Sequence, residues 1–154
     1  MKLINMKLIV CCILLYFHES KAQVTRTNIV EHFTNTSCSI CASRNPNIHN
    51  AINNNPGTLH ISFHPSVPYT SDFFNKQNKV ENDERTIFYD VFYGTPVVVL
   101  NGVDINDNQL PNLLSQSTET NFTINMIQTK VTSDSFDVRT TITKIAEDNQ
   151  TDAL

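Results

Sequence analysis

Positive charge is scarce in this chain of 154 residues, which has 11 lysines and arginines against 15 aspartates and glutamates. The formal net charge is −4 at pH 7, and no run of lysine and arginine occurs in the chain. Proteins that bind nucleic acid usually present a basic patch that neutralises phosphate groups. The composition therefore argues against nucleic acid as a partner.

Long apolar runs are also scarce. An apolar run of about ten residues, from Leu8 to Phe17, follows Lys2 and Lys7, and it is shorter than the roughly 20 residues that a membrane-spanning helix needs. Basic residues, a short apolar run and then small residues are typical of a secretory signal peptide. We predict that residues 1–22 are a signal peptide cleaved after Ala22. The expected location is secreted or periplasmic, with association with the outer membrane as an alternative, and no membrane span is expected in the mature chain.

Cysteine occurs four times, and two of the four lie inside the predicted signal peptide, at Cys11 and Cys12. A lipoprotein anchored at one of these two is an alternative, although large aliphatic residues, rather than small ones, precede them. Cleavage leaves Cys38 and Cys41 as the cysteines of the mature chain, in a compartment that permits disulfides. We expect them to pair, and the CxxC spacing points to thiol–disulfide chemistry. An inert bridge is the alternative, although so short a loop stabilises little.

The hydrophobic pattern predicts alternating strands and helices. The run Ile29 to Thr34 is strand-like, and Asn101-Gly102 predicts a tight hairpin. A helix from Cys38 to about Asn53 should bury one face, made of Ile40, Cys41, Ile48, Ala51 and Ile52. The other expected elements are a strand from Leu59 to Phe63, a mostly helical stretch from Phe73 to Tyr93, a strand from Val97 to Leu100, its hairpin partner from Val103 to Ile105, and a helix that opens at Leu110-Pro111.

Within the mostly helical stretch, Asn82-Asp83-Glu84 can cap a helix start, and Ile87, Phe88, Val91 and Phe92 should lie on one buried stripe. We expect the aromatic residues Phe88, Tyr89, Phe92 and Tyr93 to pack in the core, with the tyrosine hydroxyls facing solvent.

This order of elements, with a CxxC motif at the start of the first helix, resembles that of the thioredoxin-like superfamily. Pro46, five residues after Cys41, and Thr95-Pro96, directly before the apolar strand, add to the resemblance. More narrowly, residues 31–41, 61–64 and 94–102 are similar to secreted thioredoxin-like proteins of Bacteroidetes-type bacteria, the Omp28-related and DUF1223-like groups. The resemblance implies a three-layer α/β/α fold with a central mixed sheet over residues 23–117.

The position of Cys38 at a helix N-terminus should favour the thiolate form of its side chain. Cys38 is therefore the expected nucleophile and Cys41 the resolving thiol. The resemblance also implies a cis peptide bond between Thr95 and Pro96, with the Thr95 backbone available to an extended substrate strand. Thioredoxins hold a proton-accepting carboxylate six residues before the first cysteine, and this chain has His32 there. The residues next to and between the two cysteines differ from those of thioredoxin, so no redox potential is implied.

No metal and no cofactor is expected. Cys38, Cys41, His49 and His64 would suit tetrahedral zinc, but neither histidine belongs to a compact H-x3–5-H pair. A covalent haem is disfavoured because Ala42 stands where the C-x-x-C-H motif needs histidine.

The character of the chain changes after Ser117. Residues 118–154 contain two runs of alternating apolar and polar residues joined around Ser133-Asp134-Ser135, which predicts a β-hairpin. Two strands alone are marginally stable. The hairpin therefore either packs on the first domain or begins the β-rich domain of a longer, truncated protein, and we favour the second.

The expected function is that of a thiol–disulfide oxidoreductase whose partners are thiol or disulfide proteins of the cell envelope. The alternative is a non-enzymatic envelope or surface module that binds another protein and keeps a structural disulfide. The sequence does not distinguish reductase, oxidase and isomerase.

Overall fold

The computed structural model describes residues 24–145, so the predicted signal peptide lies outside the described residues. These residues belong to two compact units, Arg26–Thr118 and a second unit that combines Val24–Thr25 with the chain from Glu119 onward. Val24–Thr25, which the sequence analysis assigned to the first domain, forms β1 and pairs antiparallel with β6, Glu119–Thr120. Within residues 24–145, no helix combines the length and the apolar character needed to cross a membrane.

The first unit has the mixed α/β architecture that the sequence predicts. Its elements in chain order are β2 (Ile29–Phe33), α1 (Ser39–Asn53), β3 (Leu59–Phe63), α2 (Phe73–Gln77), α3 (Lys79–Phe88), β4 (Val97–Leu100), β5 (Val103–Ile105) and α4 (Leu110–Leu114). The four strands form one mixed sheet in the order β3-β2-β4-β5. β2 and β3 are parallel, and β4 runs antiparallel to both β2 and β5.

The core lies on both faces of β4, whose four residues are all buried. Successive side chains of a strand point to opposite faces, and two hydrophobic clusters follow this alternation. Val98 and Leu100 join Val30 of β2 and residues of α1 and α4 in one cluster, whereas Val97 and Val99 join the other. The hairpin predicted after β4 is present, since β4 and β5 pair antiparallel, and its two turn residues, Asn101 and Gly102, have positive φ, at 53° and 87°.

The stretch from Phe73 to Tyr93 forms two helices rather than one. The chain breaks at Asn78, which has a non-helical conformation (φ −144°, ψ 58°), and α3 ends at Phe88. The predicted start at Asn82-Asp83-Glu84 is wrong, since these residues lie inside α3.

The predicted buried stripe is also wrong at three of its four positions. Ile87, Phe88 and Phe92 are more than half exposed, and only Val91 of this set is buried. The physical reason is the orientation of α3, which buries Asn82 and Thr86 and leaves the aromatic and aliphatic residues outward.

Two further residues that were expected in the core are also exposed. Tyr93, like Phe88 and Phe92, is exposed rather than part of an aromatic core, and Ile40 in the first turn of α1 is exposed as well. Tyr89 is partly buried and contacts Phe33. The remaining predicted face of α1 is buried.

The second unit contains the predicted β-hairpin. Its strands are β7 (Phe122–Lys130) and β8 (Phe136–Lys144), paired antiparallel along their full length. One face carries the apolar side chains of Phe122, Ile124, Met126, Phe136, Val138 and Ile142, all of which are exposed.

Candidate functional site

Cys38 and Cys41 form a disulfide at the N-terminus of α1. Cys38 immediately precedes the helix and has an extended backbone conformation (φ −94°, ψ 108°). Its Sγ accepts a 3.0 Å hydrogen bond from the backbone N–H of Cys41, in the position where serine, threonine or aspartate usually caps a helix. The Cys38 sulfur therefore partners one of the N–H groups that the start of a helix leaves without an intrahelical acceptor.

Both cysteines are buried, with Cys38 3% and Cys41 1% exposed. The Sγ of Cys38 lies 3.4 Å from the carbonyl oxygen of Thr95. The Thr95–Pro96 peptide bond is cis, as the resemblance implied, and Pro96 is buried. The structure thus brings together four of the five site residues predicted from the sequence.

His32, the fifth, lies in β2 and is fully buried. The ring of His49 on α1 is 5.7 Å away, and that of His60 on β3 is 5.8 Å away, measured between ring centroids. Among residues 24–145, no group meets hydrogen-bond geometry with either ring nitrogen of His32, although the Asn45 side chain lies close enough to raise its pKa slightly. Burial, followed by the nearby His60 and His49, lowers the pKa of His32 to about 4. The ring is therefore neutral at pH 7.

The zinc set considered from the sequence would need His49 and His64 beside the two cysteines. His49 instead packs against the rings of His32 and His60, whereas Nδ1 of His64 lies 3.2 Å from the carboxylate of Asp72. In the described part of the chain, no group of three or more histidine, cysteine, aspartate or glutamate side chains is arranged to hold a metal ion.

The loop formed by residues 34–37 leads from β2 to the first cysteine and is held by a buried amide that the sequence analysis missed. Asn35 is 3% exposed, and its Nδ2 donates to the carbonyl oxygens of Pro65 and Tyr69, both at 3.1 Å. Its Oδ1 accepts a 2.9 Å hydrogen bond from the backbone N–H of Ser37. The two bonds from Nδ2 tie the loop to the chain that follows β3, and the bond from Ser37 stabilises the loop itself.

Glu31, next to His32 in β2, forms an ion pair on the other face of the sheet, which the sequence analysis also missed. Its Oε1 accepts hydrogen bonds of 2.7 Å from Arg85 Nη2 and from the Tyr89 hydroxyl. Burial raises the pKa of Glu31, but the hydrogen bonds and the charge of Arg85 outweigh it, so the pKa lies below its ordinary value. The sequence signal was a glutamate inside a strand-like run that also contains Ile29, Val30 and Phe33.

A cleft of about 390 Å³ opens beside Pro96. Its polar lining contains two pairs: Arg44 is ion-paired with Asp107, and the Tyr93 hydroxyl donates to Asp104. Although the Tyr93 side chain is largely exposed, partial desolvation of its hydroxyl and the Asp104 carboxylate raise the pKa of Tyr93 to about 12, so this hydroxyl stays protonated at neutral pH.

Comparison of the chain with protein-family models, with curated proteins and with solved structures gave no match.

Proposed function

We propose that this protein is a secreted or periplasmic thiol–disulfide oxidoreductase in which Cys38 attacks and Cys41 resolves. The observation that carries the proposal is the hydrogen bond from the Cys41 backbone N–H to the Cys38 Sγ at the N-terminus of α1. A sulfur in this position meets a backbone donor and the positive end of the helix dipole, and both favour the thiolate over the thiol. The thiolate is the reactive species in disulfide exchange.

The proposed reaction proceeds in two exchange steps. The Cys38 thiolate attacks one sulfur of a substrate disulfide, a mixed disulfide forms, and the other substrate sulfur leaves as a thiolate that takes up a proton. Cys41 then loses its proton and attacks the Cys38 sulfur, which restores the Cys38–Cys41 disulfide and releases the substrate as a dithiol. An external thiol reductant returns the pair to the reduced state, and the reverse sequence makes the protein an oxidant.

Thr95 and Pro96 are proposed to contact the substrate. The Thr95 carbonyl lies 3.4 Å from the Cys38 Sγ, so a substrate sulfur bonded to Cys38 would lie near this stretch of backbone. An extended substrate segment gains affinity by pairing with free backbone groups. The partners would be thiol or disulfide proteins of the cell envelope.

His32 is the proposed proton acceptor for Cys41, and its surroundings weaken that role. A neutral imidazole is present at pH 7, but a pKa of about 4 makes the imidazolium form unfavourable. His32→Gln tests this directly, because loss of a base should slow release of the mixed disulfide at least about tenfold. A rate equal to that of the wild type would remove His32 from the mechanism.

A thioredoxin-like three-layer fold, of the Omp28-related type, is part of this proposal. It is supported by the mixed four-stranded sheet and by the position of Cys38 between β2 and α1, with Cys41 in the first turn of the helix. It is also supported by the cis-proline whose neighbour contacts the Cys38 sulfur.

The test is the reduction potential of the Cys38–Cys41 pair, measured in graded glutathione buffers by alkylation and mass spectrometry. A midpoint between about −120 and −270 mV, the range of known thiol–disulfide catalysts, supports the enzyme. A midpoint below about −300 mV, which is typical of structural disulfides, contradicts it.

The second candidate is a non-enzymatic envelope or surface module that binds a protein partner and keeps a structural disulfide. The burial of both cysteines favours it, because reactive cysteines are usually partly exposed. After reduction, such a module should alkylate slowly at pH 6 at both cysteines, whereas the enzyme should react quickly at Cys38.

A further inference from the structure

The buried carboxylate of Asp72 holds the residue that lies two positions before Cys38. Its Oδ2 accepts hydrogen bonds from the backbone N–H of Thr36 at 2.6 Å and from the Thr36 hydroxyl at 2.8 Å. Asp72 is fully buried, and hydrogen bonds to a charged acceptor are about twice as strong as neutral ones. The position of Thr36 is therefore set by a side chain 36 residues further along the chain.

The same carboxylate is fixed in place by two other groups. Its Oδ1 caps α2 by accepting a 2.9 Å hydrogen bond from the backbone N–H of Asn75. Its Oδ2 lies 3.2 Å from Nδ1 of His64, and the carboxylate can only accept, so Nδ1 is the donor. His64 is itself held, because its backbone N–H donates to Asn82 Oδ1 at 2.7 Å.

Asp72 is negatively charged at neutral pH. Burial raises its pKa, but hydrogen bonds from the backbone N–H groups of Thr36 and Asn75, then from the Thr36 hydroxyl and His64, lower it to about 2. A rigid anionic acceptor therefore connects the end of β3, the start of α2 and the loop before α1.

We infer that Asp72 is a positioning residue for Cys38, acting through Thr36. The inference rests on the proposed function, since it assigns to Asp72 the placement of the attacking sulfur. Its role is to hold the loop so that the Cys38 Sγ stays within reach of the Cys41 N–H, 3.0 Å away.

Asp72 can change the pKa of the Cys38 thiol in two ways, through its negative charge and through its hold on the loop. The two effects have opposite signs, so the direction of the change distinguishes them. A negative charge near a thiol raises its pKa, so removal of the charge alone would lower the pKa of Cys38. Loosening of the loop would instead weaken the hydrogen bond to the thiolate and raise the pKa of Cys38. The sign of the change in Asp72→Asn therefore identifies the role.

The experiment measures the rate of alkylation of Cys38 by iodoacetamide against pH, in the reduced full chain, with the modified peptide identified by mass. We expect Asp72→Asn to raise the pKa of Cys38 by about one unit, which makes alkylation at pH 6 about tenfold slower. Asp83→Asn is the matched control, because Asp83 bonds Asn75 and Lys79 and is not bonded to the loop. It should leave the alkylation profile unchanged.

A folded Asp72→Asn variant whose Cys38 pKa is unchanged or lower would overturn the inference. If Asp72→Asn does not fold by circular dichroism, Thr36→Val decides, because it removes the hydroxyl bond and keeps the backbone bond. Thr36→Val should slow alkylation at pH 6 about threefold, and an unchanged rate would overturn the inference.

The wild-type profile keeps this inference distinct from the proposed function. A wild-type Cys38 with an ordinary thiol pKa of about 8.5 contradicts the enzyme. The effect of Asp72 is the difference in the pKa of Cys38 between Asp72→Asn and wild type. This difference can be measured whether or not the wild-type pKa supports the enzyme.

Discussion

The backbone N–H of Cys41 donates a hydrogen bond to the Sγ of Cys38 at 3.0 Å. The two sulfurs therefore have different surroundings although they are bonded to each other. Cys38 lies before the first turn of α1, where backbone N–H groups lack intrahelical acceptors, whereas Cys41 lies inside the helix. This difference is the basis for the different chemistry proposed for the two residues.

Substitution of each cysteine should separate attack from resolution. Cys41→Ser should accumulate mixed disulfides, because Cys38 still attacks and no thiol releases the product. Cys38→Ser should trap few, since Cys41 lies inside α1 and its sulfur does not have the helix-capping position of Cys38. The measurement is incubation of each reduced variant with a disulfide-bonded protein substrate, followed by non-reducing electrophoresis and mass spectrometry. Equal trapping by both variants would contradict the assignment of roles.

Loss of the cation beside Glu31 should destabilise the fold at neutral pH. Arg85→Gln leaves a buried carboxylate without its charged partner. We expect a loss of about 2 kcal/mol in the free energy of unfolding at pH 7, less than for a fully buried pair because the Arg85 side chain is 35% exposed. The folded-state pKa of Glu31 is lowered, so the pair stabilises above the unfolded-state pKa and its contribution is lost as the pH falls through the folded-state value.

The free energy of unfolding in urea at pH 7 and pH 3 measures this effect. The difference between Arg85→Gln and wild type should shrink at pH 3. Lys79→Gln is the control, since the Lys79 side chain in its pair with Asp83 is 61% exposed, and it should change stability by less than about 0.5 kcal/mol. Equal losses in the two variants would show that burial of Glu31 does not matter.

His32 should make the fold sensitive to mild acid. Its folded-state pKa of about 4 lies below the ordinary value of 6.5, so between these two pH values the unfolded chain binds a proton that the folded chain excludes. Stability attributable to His32 is therefore lost as the pH falls from about 6.5 to 4, by about 2 kcal/mol at pH 5, and no more is lost below that range.

His32→Phe should remove this part of the pH dependence, as measured by urea unfolding at pH 7 and pH 5. His49→Gln should keep most of it, because burial is the largest cause of the lowered pKa of His32. The prediction fails if wild type and His32→Phe lose the same stability over this interval.

Hydrogen exchange should differ between the two units. The amides of β4 belong to a central strand with four buried residues, whereas every side chain of β8 is exposed. We expect amides of β4 to exchange at least about tenfold more slowly than those of β7 and β8, by mass spectrometry, since opening of the hairpin exposes little further apolar surface. Equal protection would indicate that the hairpin is covered in solution.

Features that depend on close neighbours in the chain were predictable. The strand, CxxC motif and helix around Cys38 and Cys41 lie within one stretch of sequence, and so does the turn at Asn101-Gly102. Such patterns encode backbone conformation directly, through hydrophobic periodicity and through residues that tolerate positive φ. The order of elements in the first unit followed from the same signals.

Features that join distant residues were not predictable. Asp72 reaches Thr36 across 36 positions, and the cluster around His32 draws one ring from each of β2, β3 and α1. The periodicity that placed Phe88 in the core was wrong because α3 turns that face outward. The local pattern of residues does not indicate which face of an amphipathic helix the neighbouring elements cover.

The sequence by itself determined the strands of the first unit, its first and last helices, the mixed α/β class and the placement of a CxxC pair at a helix N-terminus, because these depend on spacing and local conformational preference. The tertiary structure alone decided that Cys38 lies against the Thr95 carbonyl and that His32 is buried and neutral. It also decided that Asp72 holds the loop before the disulfide. These contacts arise when the sheet and helices pack, and that packing sets the burial and the distances on which the chemistry of the site depends.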